Sequence, residues 1–192
     1  MNAQQANELF DALTVALKTR NARVYSKDND AMIEFVAKSE KGIKAGMLKF
    51  KYETIEAWVN MQACDDKGSD KFIAVKANIK TARILYAIGA KMVSQIDNYS
   101  ATIIANMLAN DGVIFAKTAL MSLCKDIEYN ALDQTQVIRA RMGKAASTAS
   151  TQRSSTREAL RVLDLAEVHK GMREDPATAS KRGREILEPM FA

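Results

Sequence analysis

The placement of proline constrains this chain of 192 residues more than any other feature of its sequence. Both prolines, Pro176 and Pro189, lie within the last twenty residues. Proline fixes φ and removes a backbone donor, so it is the strongest breaker of a helix interior. Long helices are therefore permitted over most of the chain. Ten methionines and many alanines favour them further, because unbranched side chains and alanine lose little freedom in a helix.

Composition narrows the class of protein. Apolar residues make up 47% of the chain and charged residues 27%, which is typical of globular domains and argues against disorder. No apolar run reaches the roughly 18 to 20 residues that span a bilayer, so we expect no membrane insertion. Cys64 and Cys124 are far apart, and the N-terminus lacks a basic start followed by an apolar stretch, so we expect a cytoplasmic location. The sequence predicts an all-α fold, a compact multi-helix domain with an extended C-terminal helical arm.

Apolar periodicity places the first helices. Leu9, Leu13 and Leu17 recur at helical spacing and predict a helix over 3–19. Asp28 is a candidate N-cap for a second helix that ends near Gly42, and Gly42 and Gly46 are interpreted as residues that end one element and start another.

The stretch 44–77 supports two interpretations. Leu48, Phe50 and Tyr52 alternate with charged residues as in a half-buried strand, yet Leu48, Tyr52 and Ile55 also share a helical stripe. We expect helix here and keep as the alternative an α+β fold with a small antiparallel sheet within 44–77. After a polar turn at 65–70, a long helix over 70–95 is predicted.

The second half contains a change of composition. A short apolar helix is predicted over 100–109, closed by Asn110 to Gly112, and one or two further helices over 113–142. No large apolar residue occurs between Met142 and Leu160, where alanine, serine and threonine predominate. The sequence therefore predicts a helical domain over 1–142, a flexible basic linker over 143–155 and a C-terminal docking arm over 156–192.

Within the predicted arm, Ser155 and Glu158 have the spacing of a capping box and predict the start of a helix there. A second short helix is predicted over 178–187. The apolar residues of both helices are too few to fold alone, so we expect them to dock on a partner surface. These partner-docking residues are Leu160, Leu163, Val168, Met172, Ile186, Leu187, Met190 and Phe191.

The sequence offers little chemistry for catalysis. His169 is its one histidine, and it lies far from either cysteine, so neither a nucleophile with a histidine base nor a zinc site is expected. Glycine-rich loops with the spacing of a phosphate site are absent. We therefore expect a protein without enzymatic activity, cofactor or metal.

Two binding hypotheses follow. The first is a structural or interaction protein, a subunit of a larger assembly, homo-oligomeric or virion-like, that docks on other copies of itself or on a larger protein assembly through its arm. The alternative is a basic nucleic-acid-binding protein, because the residues from Ile138 onward carry 11 basic and 7 acidic side chains, against 17 and 16 before it. Its phosphate contacts would come from Arg139, Arg141, Lys144, Arg153, Arg157 and Arg161, and from the predicted long helix through Lys71, Lys76, Lys80, Arg83 and Lys91.

Overall fold

A computed structural model gives the fold and describes residues 1–125, 136–169 and 176–192. The chain forms two compact units, which we call the N-terminal unit, Met1–Gln95, and the C-terminal unit, Ile96–Ala192. The predominantly helical character is confirmed, and a small antiparallel sheet of three strands accompanies the helices. Within the described ranges, no helix is long and apolar enough to cross a membrane.

The regular structure of the N-terminal unit consists only of helices. They are α1 (Ala3–Arg23), α2 (Lys27–Lys38), α3 (Glu40–Met47), α4 (Tyr52–Asn60) and α5 (Val75–Ala90), with short 3-10 turns at Met61–Ala63 and Val93–Gln95. Side chains cap the first two helices. Asn2 and Gln5 form a reciprocal capping box at α1, and the Ser26 hydroxyl accepts a hydrogen bond from the Asn29 amide at α2. Ser26, not the predicted Asp28, is therefore the N-cap of α2.

Helices α3 and α5 approach each other closely through glycine. A Cβ atom at Gly46 would lie 2.0 Å from the Leu85 carbonyl oxygen, and one at Gly89 would lie 2.0 Å from the Gly42 carbonyl oxygen. The interpretation of Gly42 and Gly46 as ends of elements is therefore wrong, because both lie on one face of α3 at a spacing of four. The missing side chains of Gly46 and Gly89 let the two backbones touch, and that of Gly42 leaves room for the Tyr86 ring.

A buried polar network lies beneath α5 in the same unit. Trp58 Nε1 donates to Asn78 Oδ1 at 2.7 Å, and the Asn78 and Gln62 amides bond to each other. Arg20 donates to Gln62 Oε1 and to the Ile73 carbonyl. Trp58 and Gln62 are fully buried, and burial lowers the pKa of the Arg20 guanidinium below its usual value. The network joins α1 and α4 to Asn78 in the first turn of α5 and to Ile73 just before it.

The C-terminal unit mixes helices with short strands. Its elements are α6 (Asn98–Ala109), β1 (Val113–Ile114), α7 (Ala116–Leu123), α8 (Ala146–Val162), β2 (Ala166–Val168), β3 (Ala177–Ala179) and α9 (Lys181–Phe191). The strand order is β1-β3-β2, and both pairings are antiparallel. Asp111 and Gly112 have positive φ and turn the chain from α6 into β1.

The domain boundaries differ from the predicted ones. The units divide after Gln95 rather than near Met142, and most of the predicted linker 143–155 belongs to α8. Small buried side chains explain the difference: Ala149 and Thr156 are fully buried, and the Thr156 hydroxyl lies 3.0 Å from that of Ser100 on α6. Since small residues let α8 pack closely, its part within 146–155 is buried on one face without a large apolar side chain. The predicted capping box at Ser155 is wrong, because α8 begins at Ala146.

The other predicted elements are partly corrected. Within 44–77 the structure contains α3, α4 and the start of α5, while the sheet forms at β1, β2 and β3 instead. The predicted long helix over 70–95 is shortened to Val75–Ala90. A strand of two residues and α7 replace the start of the helix expected over 113–142, and residues 126–135 of that range lie outside the described residues.

Candidate docking groove in the C-terminal unit

A half-open groove of about 340 Å³ lies between α6 and α9. We call it the α6/α9 groove, and its lining residues are Ala105, Leu108, Ala109, Arg139, Glu188, Phe191 and Ala192. Its volume is at the lower end of the range of small-ligand pockets, and its lining is mainly apolar with two charged side chains.

The α6 wall of the groove follows from the spacing of small residues. Ala105, Leu108 and Ala109 are three and four positions apart, so they share one face of the helix. Ile103, Ile104 and Met107 face elsewhere and are fully buried. Two alanines at the wall leave the space that larger side chains would fill.

Asn106 on α6 and Asn110, which follows the last residue of that helix, hold the segment that brings Arg139 to the groove. Asn106 Oδ1 accepts from the amides of Arg139 at 2.6 Å and Ala140 at 3.2 Å, and its Nδ2 donates to the Ala140 carbonyl. One turn later, Asn110 pairs with both the amide and the carbonyl of Val137. The side-chain amide has one donor group and one acceptor, so it can satisfy both polar groups of a peptide backbone. We call Asn106 and Asn110 the asparagine clamp.

A third amide side chain extends this attachment. Gln136 Nε2 donates to the Val113 carbonyl, and its Oε1 accepts from the Phe115 amide at 2.9 Å. Residues 136–140 have no helix or strand of their own, yet their backbone is fixed at both ends of the segment. Arg139 is therefore placed by contacts of the backbone, while its side chain is exposed.

The α9 wall is fixed by its N-cap and a glycine. The Ser180 hydroxyl accepts from the Gly183 amide and donates to the Asp164 carbonyl. A Cβ at Gly183 would lie 1.9 Å from the Leu165 carbonyl oxygen, so the first turn of α9 packs directly on that backbone. Leu187, one turn later, is fully buried. Glu188 and Phe191 are then on the side that lines the groove.

The two charged side chains of the groove differ in whether they have a partner. Glu188 Oε1 lies 3.7 Å from Arg184 Nη1, and Arg184 also donates to the Asp111 carbonyl. Within the part of the chain that the structure describes, Arg139 forms a hydrogen bond through its backbone amide, and its guanidinium has no ion pair or hydrogen bond. Of the two charged side chains that line the groove, Glu188 therefore has a cation nearby, and Arg139 has no partner among the described residues.

The predicted docking residues divide into three groups. Leu160, Leu163 and Leu187 are fully buried in the chain itself, so their side chains are not available to a partner. Val168, Ile186, Met190 and Phe191 are half-buried, and of these Phe191 lines the groove. Met172 lies outside the described residues.

The predicted phosphate-binding residues do not form one exposed set. Arg139, Arg141 and Lys144 are exposed, Arg153 and Arg161 are half-buried, and Arg157 is 6% exposed. Arg161 pairs with Glu158 at 2.7 Å. In and around the predicted long helix, Lys71, Lys76 and Lys91 are exposed, but Arg83 lies over the Phe35 ring and Lys80 is buried.

Charge is also distributed differently between the observed units than between the predicted regions. Residues 1–95 carry 15 basic and 11 acidic side chains, while residues 96–192 carry 13 and 12. The cationic excess therefore belongs mainly to the N-terminal unit. His169, the one histidine, lies 3.9 Å from Glu167 with its side chain 43% exposed, and it is not among the lining residues of the groove.

One feature of the sequence pointed to the groove, although the periodicity of apolar residues did not reveal it. Asn106 and Asn110 are four residues apart, the first within a mostly apolar helix and the second at its end, and such polar residues need backbone or side-chain partners when buried. Their partners lie about 30 residues further along the chain, where no pattern pointed to them. The chain matches no protein-family model, no curated protein and no solved structure.

Proposed function

We propose that the chain is a non-enzymatic interaction protein, a subunit of a larger assembly, that docks on a protein partner through the α6/α9 groove. The observation that carries this proposal is the half-open apolar groove with Phe191 half-buried at its wall. Concave sites with an aromatic anchor and a polar rim are typical of protein interfaces, where a few such side chains carry most of the binding energy.

The position of the buried leucines restricts the docking surface. Leu160, Leu163 and Leu187 contribute to the chain's own core, so docking through the entire arm is not supported. Ile186, Met190 and Phe191 keep part of their surface accessible at the end of α9. The proposal assigns no catalytic step, because the groove is lined by alanines, Leu108, Phe191 and two charged side chains, without a nucleophile and base.

Site-specific photo-crosslinking tests the proposal in the cells that produce the chain. A p-benzoylphenylalanine at position 191 keeps an aromatic ring in the groove, and we expect it to give one discrete adduct. The matched control carries the same residue at Tyr25, an aromatic side chain that is 70% exposed in the N-terminal unit, and should not give that adduct. An adduct larger by 21.2 kDa indicates a second copy of the chain.

A groove variant decides whether the adduct reflects docking. Leu108→Glu places a charge on the half-exposed α6 wall and should abolish the adduct while far-ultraviolet circular dichroism stays unchanged. An adduct that persists in Leu108→Glu, or that forms equally at positions 25 and 191, contradicts the proposal. So does the absence of any adduct at position 191.

The second candidate function is nucleic-acid binding, supported by the exposure of Arg139, Arg141 and Lys144 within six positions. Three phosphate contacts predict that log affinity falls against log salt with a slope of about −2.7, and Lys144→Gln should reduce that slope by about 0.9. Anisotropy with a labelled DNA duplex and an RNA hairpin measures both. Binding that is absent or insensitive to salt excludes this function.

A further inference from the structure

We propose that the α6/α9 groove recognises an acidic, apolar segment of a partner protein, in which a bulky apolar side chain lies next to a carboxylate. The inference rests on the proposed docking function and names the chemistry of the partner. It follows from the shape of the groove, from the state of its two charged side chains and from the way in which Arg139 is held.

The apolar part of the ligand follows from the walls. Ala105, Leu108 and Ala109 on one side and Phe191 on the other leave about 340 Å³, which is room for one or two bulky apolar side chains. Burial of such a side chain favours binding, because it removes apolar surface from water. A fully polar ligand would gain nothing from these walls.

The carboxylate follows from charge complementarity. Glu188 has a nearby cation in Arg184, whereas the Arg139 guanidinium has no partner in the described part of the chain. An apolar ligand without charge would bury the walls but leave this cation unused. A carboxylate next to the apolar group can accept a bidentate pair from the guanidinium, whose fork matches its geometry.

The asparagine clamp makes Arg139 suitable for this role. Asn106 bonds to the Arg139 amide and to both backbone polar groups of Ala140, so the backbone on the C-terminal side of the guanidinium is fixed before a ligand arrives. Asn110 fixes Val137 on the other side. A cation on an ordered backbone loses less conformational entropy on binding than one on an unattached loop.

Nucleic acid fits the interior of the groove less well. A phosphate backbone would bring repeated negative charges past Glu188, and the walls offer Phe191 as an aromatic surface among alanines and a leucine. Stacking proteins combine several aromatic side chains with a continuous cationic track. A single carboxylate next to an apolar side chain matches Arg139 and the apolar walls, whereas a polyanion brings further negative charges close to Glu188.

The test uses the full chain and two fluorescein-labelled peptides of equal length. In the first peptide a central Leu-Phe pair is flanked by Glu and Asp, and in the second the flanking residues are Gln and Asn. We expect fluorescence anisotropy to show that the acidic peptide binds about fivefold more tightly than its amide counterpart, the effect of one exposed ion pair of about 1 kcal/mol.

Three variants assign the binding to the groove. Arg139→Gln should make the two peptides bind equally, because it removes the preference for the carboxylate and keeps the apolar walls. Phe191→Ala should weaken both peptides by about tenfold. Lys181→Gln removes the same charge from an exposed position of α9 that does not line the groove, and it should leave the ratio between the peptides unchanged.

The failure of this inference is distinguishable from the failure of the docking function. Equal binding of both peptides with loss in Phe191→Ala overturns the acidic specificity but leaves docking supported. A preference that survives Arg139→Gln, or no binding of either peptide, overturns the inference, and the crosslink at position 191 then decides the function alone. Groove-dependent self-association of the full chain, seen as a mass that Leu108→Glu returns to one copy, assigns the groove to a second copy and also overturns it.

Discussion

In the N-terminal unit helix packs directly on helix, whereas in the C-terminal unit amide side chains on a helix hold a segment that has no regular structure. Gly42 and Gly46 on α3 meet Leu85 and Gly89 on α5 backbone to backbone. Asn106 on α6 and Asn110 at its C-cap instead bond to the backbone at Val137, Arg139 and Ala140. The first arrangement leaves no space between two helices. The second holds a segment without regular structure against the surface of a helix.

The difference explains why the groove occurs in the C-terminal unit. Two helices in backbone contact leave no space for a ligand, and the packing is satisfied within the unit. A segment held by two amides covers only the residues that it crosses, and the neighbouring face of α6 remains open up to α9. A side chain on such a segment can face outward, as that of Arg139 does, while its backbone stays ordered.

Separating α3 from α5 should produce the largest effect. Gly46→Ala would place a Cβ atom 2.0 Å from the Leu85 carbonyl oxygen, so the helices must move apart and we expect a loss of about 3 kcal/mol or more in the free energy of unfolding. At an unhindered helix position the same substitution would stabilise by roughly 1 kcal/mol. The sign of the change in the free energy of unfolding therefore shows whether α3 and α5 are in backbone contact. Urea unfolding followed by the fluorescence of the buried Trp58, the one tryptophan, measures it.

A second glycine in the same unit provides the control for this measurement. A Cβ at Gly68 would lie 3.3 Å from Asp66 Oδ1, an exposed side-chain atom that can move aside. Gly68→Ala should change the free energy of unfolding by no more than about 0.5 kcal/mol. If Gly46→Ala behaves like Gly68→Ala, close packing of α3 on α5 does not stabilise the N-terminal unit.

The same glycines show where prediction from sequence failed. Periodicity found α1 and α6 to within a few residues, because their apolar stripes are local patterns. Glycine has a local preference for helix ends, and that preference alone placed Gly42 and Gly46 outside helices. Their actual role depends on α5, some 40 residues later, and no local pattern contains that information.

The prediction from composition failed in α8 for a related reason. Alanine, serine and threonine over 143–155 predicted a solvated linker, because burial was inferred only from large apolar residues. The structure buries Ala149, Ser155 and Thr156 instead, since small side chains permit a close approach to α6 and α7. Strands of two and three residues are likewise too short to show an alternating pattern. The groove depends on all of these tertiary contacts, so the sequence predicted Phe191 and Arg139 but not that they share one site.

Removing the clamp should have an intermediate effect, confined to the C-terminal unit. Asn106→Ala leaves the amides of Arg139 and Ala140 without their acceptor, which we expect to cost roughly 2 kcal/mol. Hydrogen exchange at these two amides should accelerate while that of α5 stays unchanged. Asn110→Ala, at a half-exposed position, should cost roughly 1 kcal/mol and release Val137 only. Unchanged protection of Arg139 in Asn106→Ala would mean that the segment is held by other contacts.

The smallest effect concerns a connection in the N-terminal unit that resembles the clamp. Between α1 and α2, Asn21 Nδ2 donates to Asp30 at 2.9 Å, and the exposed Tyr25 hydroxyl bonds to the same carboxylate, which raises the pKa of Tyr25. Asp30→Asn removes the charge and should lower that pKa toward about 10. Titration of the tyrosine ring signals by NMR measures it. Tyr52 is the internal control, because desolvation raises its pKa first and Glu56 second.

The direction of the pH dependence follows from the protonation state that the fold favours. A raised pKa means that the folded unit prefers the neutral Tyr25, so its contribution to stability is complete below the pKa of the unfolded chain and is lost as pH rises through the higher folded value. Asp30→Asn should remove this alkaline loss from the unfolding curve. If Tyr25 ionises at the same pH in the unsubstituted chain and in Asp30→Asn, side chains do not hold the α1–α2 connection. The contrast between the two units would then be sharper than their structures indicate.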